Sequence, residues 1–268
     1  MREIKLEELK KIQIEILDEV HHFCEENRIT YFLSSGTLLG AVRHKGYIPW
    51  DDDIDIYIPR RDYERFLKIY KGSTTRIRSL YVDSKFPFAF AKVEKNGTVL
   101  IENADCNTEI GVNIDVFPLD GVPNNLQERR ALFNHINTIR QFMTLKSVSI
   151  DFKKRSFLKN AVLFIGKFFL APISLHYLAS MVDKAIDKNN DCSQYVCNIV
   201  LGNGFNTCFS RDAIKDTIDV LFEGQYYKTM AGYDEYLHKT YGDYMQLPPV
   251  EKRVSHHSFS AYWLDTAN

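Results

Sequence analysis

The segment Trp50-Asp51-Asp52-Asp53-Ile54-Asp55-Ile56 puts four carboxylates into five positions and then runs into an aliphatic stretch. Like charges a few ångströms apart raise one another's pKa and destabilise a compact state, so a fold that keeps them needs a cation or basic partners beside them. Ile54, Ile56 and Ile58 alternate with Asp53, Asp55 and Tyr57, which predicts a strand with one aliphatic and one acidic face. Side chains two apart on such a strand start about 7 Å apart on one face, a spacing from which Asp53 and Asp55 can converge on a hard cation.

A second segment repeats the pattern. Asn113-Ile114-Asp115-Val116-Phe117 places Asp115 and Asn113 on its polar face. Laid beside the first strand, it brings a third carboxylate to the other two. Three acids from two adjacent strands, preceded by a glycine-containing turn whose N–H groups can meet phosphate, describe a two-metal phosphoryl-transfer site. Asp115 is then placed to bind the second metal and take the proton from an incoming hydroxyl. A calcium loop starting at Asp51 does not fit, because Ile56 stands where glycine is required and Asp62 where glutamate is expected. Asp52 reads as a turn cap or solvated acid, while Asp51 is open between that role and the site.

The basic candidates flank this cluster. A turn at Ser34–Thr37 leads into a helix from Leu38 to about Arg43, and Gly36 and Thr37 sit where a helix start offers N–H groups to an anion. Arg43, His44 and Lys45 form a mobile-looking positive loop able to neutralise a diphosphate, although Lys45 reads equally as a solvated loop residue. Lys92 is either a phosphate ligand or an ordinary edge-strand lysine. Arg253 and His256 either reach substrate phosphate or belong to a surface tail. The adjacent His256-His257 pair lacks the spacing of a zinc site.

Around the site, Leu9, Ile12, Ile16, Val20 and Phe23 mark one stripe of an N-terminal helix, and Pro59 opens a second helix over Arg60–Tyr70. Strands are predicted at Thr75–Leu80, Ala89–Glu94, Thr98–Glu102 and Gly111–Phe117, with Asn96-Gly97 the strongest hairpin signal. From Leu126 to Asn189 the pattern is mainly helical. Its most apolar part, Phe157–Met181, is interrupted by Lys159, Lys167, Pro172 and His176, so it lacks the roughly 20 uninterrupted apolar residues of a spanning helix. It reads as a buried core helix, with docking on a bilayer as the alternative. The expected fold class is α+β: a catalytic core over 1–125, a mainly helical region over 126–200, and an irregular C-terminal lobe over 201–268 packing back on the core.

Composition closes off other classes. With 34 Lys+Arg against 35 Asp+Glu, bulk attraction to nucleic acid is excluded as the basis of function. A chain that is 45% hydrophobic and 26% charged is neither disordered nor fibrous. Its five cysteines show no paired two-residue spacing, and Met1–Lys11 has no apolar leader core, so a cytoplasmic setting is expected.

The run from Ser34 to Asp55, SSGTLLGAVRHKGYIPWDDDID, closely resembles the signature of the LicD family of phosphocholine transferases. Asp115-Val116-Phe117-Pro118-Leu119-Asp120-Gly121, Tyr241-Gly242-Asp243-Tyr244-Met245 and Leu247-Pro248-Pro249 are similar to that family too, so the resemblance spans most of the chain and is least diagnostic in the helical middle. It implies a nucleotidyltransferase core like that of DNA polymerase β, a small mixed sheet flanked by helices, in a superfamily that includes the fukutin-type transferases. It further implies metal ligands at Asp53, Asp55 and Asp115, a Gly36-Thr37 turn, and one or two Mg²⁺ ions for which Mn²⁺ can substitute. The implied reaction moves phosphocholine from CDP-choline to a hydroxyl of a teichoic-acid or lipopolysaccharide sugar and releases CMP. Its acceptor would be lipid-linked or membrane-bound, at the inner face of the cell membrane. A CDP-ribitol or CDP-glycerol donor, and a non-catalytic glycan-binding protein, are the other readings. A quaternary ammonium group calls for an aromatic box, for which Tyr47, Trp50, Tyr226, Tyr227, Tyr233 and Trp263 are available.

Overall fold

The computed structural model describes residues 1–102, 110–150, 156–187, 191–202, 204–254 and 259–265. After a short strand β1 (Arg2–Ile4), helix α1 (Leu6–Asn27) buries Leu9, Ile12, Ile16 and Val20 of the predicted stripe together with Leu17, with Cys24 rather than Phe23 buried at its end. Arg28, in the left-handed conformation at φ 53°, ends it. Strand β2 (Phe32–Leu33), helix α2 (Ser35–His44), strand β3 (Asp55–Pro59) and helix α3 (Arg60–Ile69) follow. The predicted turn at Ser34–Thr37 is corrected here, because α2 begins at Ser35 and takes Gly36 and Thr37 into its first turn.

Strands β4 (Thr75–Arg78), β5 (Ala91–Lys95), β6 (Thr98–Glu102) and β7 (Asn113–Val122) come next. The main sheet has the order β2-β3-β7-β5-β4. Only β3 and β7 run parallel in that path, and the other three pairings are antiparallel. The Asn96-Gly97 signal does mark a tight turn, with Gly97 at φ 75°, but not a hairpin. Both edges of β5 are already taken by β4 and β7, so β6 leaves the main sheet and pairs instead with a strand from the far end of the chain.

The helical region comprises α4 (Leu126–Ser147), α5 (Phe157–Leu170) and α6 (Leu175–Ala185). Asn125 caps α4 by accepting from the Gln127 and Glu128 N–H groups at 2.8 and 3.2 Å. The chain then returns to the sheet, where β8 (Tyr195–Cys197) pairs with the end of β7 and with β9 (Phe209–Ser210). The buried-core reading of Phe157–Met181 holds for α6 but is corrected for α5. Leu178, Ala179 and Val182 of α6 are buried, whereas α5 buries only Asn160 and Leu163. Apolar composition alone does not fix which neighbours a helix receives. No single helix among the described residues is long and apolar enough to cross a membrane.

The C-terminal stretch is more regular than its Gly, Pro and Tyr content suggests. Strands β10 (Thr217–Phe222) and β11 (Gln225–Met230) form a hairpin whose two loop residues, Glu223 and Gly224, both have positive φ, 49° and 86°. That is the backbone signature of a two-residue primed turn. Helix α7 (Tyr233–Tyr241) and strand β12 (Phe259–Trp263) follow, and β12 lies between β1 and β6, joining the two ends of the chain in a three-stranded sheet.

One buried ion cluster ties the elements together at the C-terminal end of β3 and β7. Arg60, at the start of α3, donates to both carboxylate oxygens of Asp120 on β7, at 2.5 and 2.8 Å, and to Asp183 on α6 at 3.4 Å.

A carboxylate site where two parallel strands begin

The parallel ladder sets Asp55 directly opposite Asp115, and the antiparallel ladder on the other side sets Asp115 opposite Lys92. Three charged residues from three adjacent strands therefore stand in one row. The Lys92 ammonium donates to the Asp115 carboxylate and, at 3.1 Å, to Asn113 Oδ1. Lys92 is thus an internal partner of the acids and not an edge lysine, because β4 covers the far side of β5.

The loop before β3 carries the other acids. Carboxylate oxygens of Asp51, Asp52 and Asp53 all lie within 4.8 Å of one another. Asp52, read from the sequence as a cap or solvated acid, is buried among them. Its backbone carbonyl accepts from Gln13 Nε2 of α1 at 3.0 Å, and Gln13 Oε1 in turn accepts from the Tyr47 hydroxyl at 2.9 Å. A polar Gln13 inside the apolar stripe Leu9, Ile12, Ile16 was the one sequence signal of that anchorage.

Asp55 links the loop to the row. Enclosure first, then the charges of Asp53 and Asp115, push its carboxyl well above the usual carboxylate range. A hydrogen bond with Ser35 and the charge of Lys92 pull the other way. Five acids from one loop and two strands offer only hard oxygen donors, and Lys92 pairs with one of them, Asp115. Such donors fit Mg²⁺ or Mn²⁺, and Asp51, Asp52 and Asp53 together with Asp55 and Asp115 are the residues that would hold it.

Helix α2 begins against this cluster. Ser35 sits in the left-handed region at φ 49°, and its N–H donates to the Tyr236 hydroxyl at 3.0 Å. The predicted phosphate cradle has therefore already given that donor to α7. Gly36 leaves room for the Asp51 carboxylate, which a Cβ there would have to displace. Thr37 is buried, and its Oγ1 accepts from the Asp55 N–H at 2.9 Å, so it sets the start of β3. The Tyr236 hydroxyl also meets Tyr57 at 3.2 Å. Ser35 and Tyr236 escaped sequence reasoning, because their contact joins positions 201 residues apart.

The basic residues divide. Arg43 donates through Nε to His44 at 2.9 Å and through Nη1 to the Tyr244 carbonyl at 2.8 Å. Burial, then the neighbouring charge of Arg253, lowers the pKa of Arg43, and burial followed by Arg43 lowers that of His44. A neutral His44 suits its role as acceptor. The Arg253 guanidinium lies 5.6 Å over the Trp50 ring and donates to the Pro248 carbonyl at 2.8 Å. Arg43, His44, Trp50 and Arg253 thus gather beside the acids. Lys45 does not join them: it occupies the C-cap of α2 at φ 61° and donates to the Val42 carbonyl at 3.3 Å. The loop is also not the free one expected, since Glu223 in the hairpin turn accepts from the Tyr47 N–H at 2.9 Å and donates its own N–H to the Lys45 carbonyl at 3.0 Å. His256 lies outside the described residues.

Among the aromatics, Tyr47 and Tyr227 pack in the core around Phe222, Trp263 bonds Glu8, and Tyr226 is exposed on the hairpin, so they form no box. Tyr241 is the aromatic that sequence reasoning left out. Although 42% of Tyr241 is exposed, desolvation of its hydroxyl, then Tyr236 and the charges of Asp55, Asp51 and Asp53, push its pKa well up. A cavity of about 950 Å³ opens at the other end of β3 and β7, beside Pro59 and Leu119, and none of the five acids lines it.

Residues 28–164 match the family described as LicD/FKTN/FKRP, nucleotidyltransferase domain. The chain is 31% identical to the lipopolysaccharide cholinephosphotransferase LicD of Haemophilus influenzae over 98% of its own length and 100% of that protein. Shorter matches join it to two uncharacterized proteins. One, from Rickettsia typhi, is 40% identical over 26% of this chain and 23% of that protein. The other, from Rickettsia prowazekii, is 50% identical over 18% of each.

Proposed function

The chain belongs to the LicD family, and from that premise we propose that it transfers phosphocholine from CDP-choline to a hydroxyl of a cell-envelope glycan, releasing CMP. The observation that carries this reading is the end-to-end similarity to a lipopolysaccharide cholinephosphotransferase. The cluster Asp51, Asp52 and Asp53, with Asp55 and Asp115 in register on the adjacent strands, would supply the chemistry to go with it. Their place at the start of a parallel strand pair in a small mixed sheet supports reading residues 1–125 as a polymerase β-like nucleotidyltransferase core.

Mg²⁺ bound among these carboxylates would supply positive charge to the diphosphate of the donor. The remaining work falls to the chain's own residues. Asp115 stands in the row as a base for the acceptor hydroxyl, with Lys92, itself bonded to Asn113, fixing its orientation. Arg43 and Arg253 offer cations to the charge that builds on departing CMP. Trp50, next to Asp51 in the chain, and Tyr241, whose hydroxyl feels the charges of Asp51, Asp53 and Asp55, offer aromatic surfaces beside the acids for a quaternary ammonium. The acceptor is a lipopolysaccharide or teichoic-acid precursor, lipid-linked or held at the cytoplasmic face of the membrane.

The test is CMP release by the purified chain from CDP-choline, Mg²⁺ and a glycan acceptor, with Asp53→Asn alongside. Equal, slow release by both proteins would remove the transferase reading and leave glycan binding. Calorimetric titration with CDP-choline and CDP-ribitol decides the donor, and tighter binding of the alditol would reassign it.

A further inference from the structure

Helix α5 is apolar where it meets solvent. Phe157, Leu158, Phe164, Ile165, Phe168 and Phe169 are between 55% and 78% exposed, and Val162 joins them. Projected at about 100° per residue, these seven side chains share one continuous arc of roughly 160°. Leu163, buried, lies opposite its centre, and Lys159 lies beside one edge. An exposed apolar patch of this kind marks an interaction surface.

The charge around it selects the partner. From Ser156 to Val182 the chain carries Lys159 and Lys167 and no acid, and Lys153, Lys154 and Arg155 precede this stretch in the sequence with Asp151, in a protein of 34 basic and 35 acidic residues. Aromatic and aliphatic side chains on one face, lysine at its border and an excess of positive charge are what an anionic lipid surface binds. The helix is too short to cross a bilayer, and α6 turns away from it by 76°. That bend suits a helix lying in the plane of the interface.

We infer that α5 docks the protein on an anionic membrane surface, its Phe-rich arc entering the boundary between headgroups and acyl chains. The inference goes beyond the transfer reaction and requires neither donor nor acceptor.

The test is flotation of the full chain with vesicles of phosphatidylcholine, alone or mixed with phosphatidylglycerol. The wild-type chain is expected to float with the mixed vesicles, less with phosphatidylcholine alone, and less again at high salt. The pair Ile165→Glu and Phe168→Glu lowers the bound fraction by about tenfold or more, with unchanged circular dichroism and unchanged CMP release on a water-soluble acceptor. Lys159→Glu weakens binding only to the anionic vesicles. Failure of the wild type to float with either vesicle overturns the inference, as does equal flotation of the double variant. A dimer in the ultracentrifuge that the double variant dissociates, without vesicle binding, would assign the face to a second copy and also overturn it. If CMP release fails while flotation behaves as described, the transfer reading falls and this one stands.

Discussion

Asp55 and Asp115 stand directly opposite one another across the parallel β3–β7 ladder, the second of them held by Lys92 from the next strand. In a ladder, residues in register keep their side chains about 5 Å apart on the same face, so two carboxylates here repel unless protonated or bridged. One lysine cannot balance both, since the Asp53 charge also bears on Asp55.

This arrangement makes the stability of the metal-free chain depend on pH. Asp55 keeps its proton to higher pH in the fold than in the unfolded chain, so the folded state binds more protons above about pH 4. Stability is therefore lost as pH rises through that window. Comparing the Asp55→Asn variant with wild type isolates this contribution from other titrating groups. In the metal-free proteins, the thermal midpoint of the wild type should fall relative to the variant as pH is raised above about 4, by ~2–4 °C for each kcal/mol. Magnesium should raise the wild-type midpoint more at the higher pH and leave the variant nearly unmoved, while CMP release by the variant drops by about a thousandfold. Parallel pH curves for the two proteins, with and without magnesium, would contradict this account.

Gly36→Ala separates the site from the fold. The new methyl collides with the end of the Asp51 side chain, which can swing aside, so stability should hold or rise by up to about 1 kcal/mol from the better helix former. Displacing Asp51 from the cluster should weaken magnesium binding and lower CMP release by about tenfold or more. Calorimetric titration with magnesium and a urea melt on the same sample check both halves.

The strands that carry the site were legible because their pattern is local: Ile54, Ile56 and Ile58, and then Ile114 and Val116, alternate with the acids they present. Thr37 and Lys92 were singled out from the sequence, although their partners, the Asp55 N–H and the Asp115 carboxylate, were not. What escaped depends on distant partners. Asp52 joins the acids because Gln13 holds its carbonyl, Ser35 is positioned by Tyr236, and Asn96-Gly97 fails to make a hairpin because β4 and β7 occupy the edges of β5 first. For α5, the same apolar residues serve a core or a surface, and only the packing tells which.

Asp120 lies in the same strand as Asp115, and in the same family-like segment, but its work is structural. Five residues along β7 separate the two, about 17 Å at strand rise, and Asp120 pairs with Arg60 in a buried cluster. Removing one partner leaves the other charge buried and unmatched. Asp120→Ala is therefore expected to cost about 3–5 kcal/mol in urea unfolding, with magnesium binding by the folded fraction unchanged. A variant that melts like wild type and fails to bind magnesium would move Asp120 into the site.

The hairpin turn is expected to control the Arg43–Tyr47 loop from the opposite end of the sequence. Glu223 accepts from the Tyr47 N–H, and Gly46 packs so closely on the same carboxylate that a Cβ would not fit. Glu223 itself has φ 49°, a conformation that asparagine tolerates well. Glu223→Asn thus keeps the turn while shortening the side chain that grips the loop. The loss of one charge-assisted hydrogen bond should cost about 1.5–3 kcal/mol. Because this loop begins with Arg43 and His44 at the end of α2, the KM for the donor should rise severalfold while kcat changes less. Hydrogen exchange at the Tyr47 amide reads the grip directly: faster exchange with a raised KM supports the coupling. An amide as protected as in the wild type would show that the loop is held from elsewhere.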